Sequence, residues 1–186
     1  MLIRVRSAWQ LGLIAVLCVV AVVGVVAQDR KEVDAESYDV YSAVLTRHYK
    51  SWFMQKEPVL IIAHTVLEPQ GHTGSAQCRG QEGQDADDQE LLDKLVAEKL
   101  EFRIEGKLRL PGPYKMLKGK AGIRENQEPG VVFLSAVEFS TDRSKAMVLV
   151  GHNCGGLCGD GIVRTLVKRG DGWHLANNQL NCGWIK

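Results

Sequence analysis

Residues 11–27, LGLIAVLCVVAVVGVVA, carry no charge and no strongly polar side chain. Such a run enters a membrane or a translocation site, so it fixes the compartment of everything that follows. Arg4 and Arg6 precede it without any acid, and Gln28-Asp29-Arg30-Lys31-Glu32 follows it abruptly. A cationic head, an apolar stretch and small residues at the exit form the recipe of a secretory signal peptide. The head stays on the cytoplasmic side while the apolar helix inserts. Val25-Val26-Ala27 places cleavage after Ala27, with Gln28 opening the mature chain. At 17 residues the run is at the short edge of what spans ~30 Å of hydrocarbon. An uncleaved single-pass anchor is therefore the alternative, and a buried core helix a distant third. Cys18 follows Leu17, where a lipoprotein signal needs a small residue, so lipidation is not expected.

Of the 186 residues, 45% are hydrophobic and 24% charged, with 23 Lys and Arg against 22 Asp and Glu. That balance excludes disordered and fibrous classes and suits one globular domain over residues 28–186. Cleavage leaves 21 basic and 22 acidic residues, so net charge draws no polyanion to the molecule as a whole. Basic residues Lys107, Arg109, Lys115, Lys118, Lys120 and Arg124 cluster with Tyr114 as their one aromatic. Without interleaved rings to stack on bases, no nucleic-acid partner is expected.

From Glu36 to Phe53 the apolar residues Tyr38, Tyr41, Val44, Leu45, Tyr49, Trp52 and Phe53 recur every three or four positions, the stripe of an amphipathic helix. Val59 to Ala63 reads as a buried strand continuing toward Leu67. Residues 69–89 are polar, acidic and glycine-rich, a long surface loop. Asp87 and Glu90 have capping-box spacing ahead of Leu91, Leu92, Leu95, Val96 and Leu100, which predict a second helix. Residues 103–130 read as mostly irregular, with a short extended piece near Ile104 to Leu110. From Val131 the period becomes two: strands at Val131–Ser140, Lys145–His152, Ile162–Lys168, Trp173–Ala176 and Leu180–Ile185, joined by turns at 141–144 and 170–172. The expectation is an α+β fold, an antiparallel meander with both helices packed on one face.

The most distinctive stretch is Gly151-His152-Asn153-Cys154-Gly155-Gly156-Leu157-Cys158-Gly159-Asp160-Gly161, where glycines around two cysteines demand a tight reversal. Val150-Gly151, Cys154 through Gly159, Gly161, Leu166, Lys168, Gly172 and Trp173 resemble the hairpin of a family of exported bacterial proteins with no assigned activity. Val137, Phe139, Asp142, Ala146 and Val148 extend the likeness, and Val40 to Val44 echo it faintly. It covers about the last 60 residues well. The chain departs from the pattern in its acidic loop and in Cys78 and Cys182. The resemblance implies fold and export but no reaction.

Outside the cytosol the four mature cysteines are expected to pair, in one of three ways. Cys154 with Cys158 fits the ~4.4–6.8 Å Cα separation that a glycine-rich reversal can provide, leaving Cys78 for Cys182. Another pairing, free thiols or a zinc site remain open. Zinc would draw on Cys154, Cys158 and one of His152, Asp160 or His174, but the three-residue spacing is wide for a knuckle and no second pair accompanies it. Neither a metal nor any other cofactor is expected. A reactive thiol with His152 as its base is the catalytic alternative, although the sequence offers no evident group to orient that histidine. Arg169-Gly170-Asp171 spells an adhesion tripeptide, yet a hairpin turn alone demands it. The balance favours a non-enzymatic extracytoplasmic binding or envelope domain. Its partners are unknown, with membrane contact only through an uncleaved N-terminus. A thiol-dependent or hydrolytic enzyme at the Cys154/Cys158 tip is the alternative.

Overall fold

A computed structural model describes residues 30–66, 85–118, 130–155, 158–177 and 183–185. The signal segment with Ala27 and Gln28, most of the acidic loop, Cys78 and Cys182 lie outside them. The described chain is α+β. Helix α1 spans Ala35–His48 and opens on Asp34, whose carboxylate accepts from the Ser37 amide at 2.8 Å. This cap satisfies an amide that the helix leaves unpaired. Strand β1 is Val59–Ile62, helix α2 is Ala86–Ala97, and β2 is Tyr114–Leu117. Then come β3 Val131–Leu134, β4 Glu138–Phe139, β5 Lys145–Gly155, β6 Cys158–Arg169, β7 Gly172–Leu175 and β8 Gly183–Ile185.

The strands form one mixed sheet in the order β2-β1-β3-β5-β6-β7, with β4 beside β5 and β8 beside β6. The expected all-antiparallel meander is therefore corrected. β1 runs parallel to both β2 and β3, and the antiparallel pairings begin between β3 and β5. The stretch expected to be irregular supplies the edge strand β2, while the extended piece expected near 104–110 joins no ladder, the isolated bridges falling just before it at Arg103. β2 was hidden because Tyr114-Lys115-Met116-Leu117 is short and shows no clean alternation. Its register with Val59–Ile62 is what makes it a strand.

The helices do not share a face. α1 residues Val40, Tyr41, Val44 and Leu45 pack with Val59, Ile61, Val132, Leu134, Val148, Val150 and Leu166. α2 residues Leu91 and Leu92 pack with the intervening strand residues Phe133, Met147, Leu149 and Val163. Neighbours along a strand point to opposite sides, so the sheet is covered on both. The reason is visible in β3, whose four residues are all buried. Val131-Val132-Phe133-Leu134 is a continuous apolar run, the signature of a strand with no wet side.

Element ends also shift. α1 stops at His48, and the chain folds back in turns, Trp52 and Phe53 both donating to the Tyr49 carbonyl at 2.9 and 3.2 Å. Phe53 stays buried all the same, which explains why the apolar spacing ran past the helix. α2 is capped by Asp85, which accepts from the Asp88 amide at 2.7 Å, two residues ahead of the expected Asp87. Between β3 and β4 three residues, 135–137, face only 148–149 of β5. The Ser135 hydroxyl fills this bulge by accepting from the Leu149 amide at 2.9 Å, while Tyr41 donates to the Ser135 carbonyl at 2.8 Å.

Candidate functional site

The hairpin tip lies where β5 and β6 converge. Gly151 faces Gly161, His152 faces Asp160 and Asn153 faces Gly159, but the next pair is Gly155 with Cys158. Cys154 is thus the extra residue of a bulge, a device that re-aims a side chain. Its neighbourhood is tight. A Cβ on Gly151 would sit 2.2 Å from the Asp160 carbonyl and 2.5 Å from the Phe133 ring. Cys154 is buried, and the side chain of Cys158 falls outside those described.

His152 and Asp160 meet across the ladder, Nδ1 to Oδ1 at 2.7 Å. The group that orients the histidine, not evident in the sequence, is therefore Asp160. Trp52 and Tyr49 stand edge-on to the imidazole with ring centroids at 5.1 and 6.3 Å. They come from the turn after α1, next to His48, whose Nδ1 lies 3.4 Å from an Arg164 guanidinium nitrogen. Burial, helped by that guanidinium, lowers the His48 pKa and favours its neutral form. The Tyr49 hydroxyl is buried with no hydrogen-bond partner among the described residues, and burial raises its pKa. With the proton on Nδ1 the imidazole donates to Asp160 and Nε2 is left as the acceptor.

His174 does not join this cluster. It faces Val167 on β7, seven residues along β6 from Asp160, or about 23 Å at ~3.3 Å per residue, and its Nε2 meets Asp171 at 2.8 Å. A zinc set completed by His174 is excluded by that separation. Among the described residues no group of three His, Cys, Asp or Glu side chains could hold a metal. Gly170 and Asp171 form the turn closed by the Arg169–Gly172 pair, with Gly172 at φ +130°, a conformation that favours glycine.

A second feature leaves no pattern in the sequence. Between α1 and β7 runs an open groove of about 890 Å³ whose lining includes Arg47, Lys50, Arg109, Arg169, Trp173 and His174. Arg47 and Lys50 come from the end of α1 and the turn beyond it. Arg109 is brought in by its own backbone, which donates to the Ser42 hydroxyl at 2.9 Å, and its side chain pairs with Asp39. Arg169 sits at the hairpin turn, and the buried Trp173 belongs to the α1 core. The four cations are spread over 123 residues of sequence, so only tertiary assembly joins them.

No described helix is long and apolar enough to cross a membrane, and residues 11–27 lie outside the description. Comparison with known proteins gives no match, whether to a family model, a curated protein or a solved structure.

Proposed function

We propose that this chain is a non-enzymatic extracytoplasmic binding domain. Residues 1–27 export it, with cleavage between Ala27 and Gln28 or retention as a single-pass anchor. The family resemblance at the hairpin supports export. Cys154–Cys158 staples the tip and Cys78–Cys182 ties the acidic loop to the C-terminus. The bulge supports the first pairing, because Cys158 stands opposite the residue next to Cys154. The groove between α1 and β7 carries the binding reading. It is large enough for a small ligand, and His174 in its lining is already engaged by Asp171.

A second reading, a thiol-dependent or hydrolytic enzyme at the tip, is favoured by the His152–Asp160 contact. There Nε2 would take a proton from water as its oxygen attacks an acyl carbon, then return it to the leaving alkoxide. One preparation separates the two. Protein from a secreting host should begin at Gln28, take up no iodoacetamide without reductant, and leave p-nitrophenyl acetate hydrolysis at the background rate. Fast labelling of Cys154 or Cys158, or esterase turnover lost in Asp160→Asn, would put the enzyme in its place.

A further inference from the structure

We infer that the groove between α1 and β7 binds a small polyanion, a molecule with two or more phosphate, sulfate or carboxylate groups. This rests on the binding reading and names the ligand class. The lining residues described include Arg47, Lys50, Arg109 and Arg169 and no Asp or Glu. The chain as a whole is almost neutral, 23 basic against 22 acidic residues, so this local excess does not follow from composition.

How the neighbouring charges are placed strengthens the case. Around α1, Lys107 meets Glu32 at 2.5 Å, Lys168 and Arg143 both meet Glu36 at 2.6 Å, and Arg109 pairs with Asp39. Arg47, Lys50 and Arg169 form no salt bridge with any described residue. Arg47, in the last turn of α1, gains something from the helix dipole, but Lys50 and Arg169 lie outside the helix. Like charges gathered along one concavity repel, and neighbouring carboxylates offset this only in part, Asp39 pairing with Arg109 while Asp171, beside Arg169, is engaged by His174. An anion bridging them would relieve that repulsion. Guanidinium forks on opposite walls suit the oxygens of phosphate or sulfate, with Lys50 adding a point charge.

The test uses the mature protein, isotope-labelled for NMR and titrated with sodium tripolyphosphate, orthophosphate, spermine and maltotetraose. Tripolyphosphate should move the amides of 46–50 and 169–176 and bind at least tenfold more tightly than orthophosphate. The triple variant Arg47→Gln/Lys50→Gln/Arg169→Gln changes exposed side chains only and should weaken that binding tenfold or more. Its amide spectrum away from the groove should match the parent. Affinity should also fall between 0.1 and 1 M NaCl, as the screening length drops from ~10 to ~3 Å. Tripolyphosphate binding undiminished in the triple variant would overturn the assignment. So would groove shifts with spermine or maltotetraose but not tripolyphosphate, although binding itself would then stand. Silence with all four probes overturns the anion assignment, and capture by phosphatidylglycerol vesicles without tripolyphosphate binding replaces it with membrane contact.

Discussion

On the α1 side of the sheet Tyr41, Leu45, Val132, Val148, Val150 and Leu166 are fully buried, and the cluster spreads into Val33, Phe53, Ile104 and Leu108 beyond the regular elements. On the α2 side the buried cluster among the described residues is Leu91, Leu92, Phe133, Met147, Leu149 and Val163. The strands are shared, so the difference lies in what covers them. α1 is wrapped by neighbouring chain that hydrogen-bonds to it: Glu105 donates to Tyr38 at 2.8 Å and Arg109 to Ser42 at 2.9 Å. α2 is tied from outside by Lys145, which reaches Asp85 at 2.6 Å, Asp88 at 3.6 Å and Asp87 at 3.8 Å. Both candidate sites border α1 or the turn that follows it.

The sharpest way to break this contrast is to empty each cluster in turn. Leu45→Ala should cost ~3–5 kcal/mol and Leu92→Ala ~2–3 kcal/mol, read from the midpoint of urea unfolding. Equal costs would mean that the faces are equivalent. Native-state hydrogen exchange should show α2 amides opening below the global free energy and α1 amides only with it. Next comes Gly151→Ala, whose methyl would collide with the Asp160 carbonyl. A loss of ~1–3 kcal/mol is expected, with a displaced His152 imidazole proton signal. An unchanged signal would show that the tip tolerates the displacement. The smallest effect belongs to Glu36, a partly buried carboxylate whose pKa is held down chiefly by Lys168 and also by Arg143. A lowered folded pKa contributes stability above the unfolded value of 4.5, and that contribution fades as pH falls through the folded value. Glu36→Gln should therefore cost under ~1 kcal/mol at pH 7 and flatten the loss of stability below pH ~4.5. An unaltered acid profile would reject the role given to this pair.

The two faces also separate what the residues reveal by themselves from what they do not. The stripe Tyr38, Tyr41, Val44 and Leu45 announces α1, since a helix repeats its own face within a dozen residues. Val131 to Leu134 carries the evidence for a two-sided sheet, but a four-residue apolar run becomes unambiguous only when partners are known for both sides. β2 was illegible because a parallel edge strand is specified by β1, far away in the chain. The His152–Asp160 contact follows from a hairpin register that a bulge displaces by one, and spacing does not report a bulge. For the groove there is no local signal at all, since Arg47 and Arg169 become neighbours only after folding.

Ser135 shows how far one hydroxyl reaches. A strand that slipped by a single position at that bulge would turn every later side chain to the opposite side. Phe139, which now stacks against Trp173 with ring centroids 5.7 Å apart, would leave that ring unsupported. By pinning the Leu149 amide, the serine sets the phase of the downstream strand, and with it the seat beneath the cationic channel.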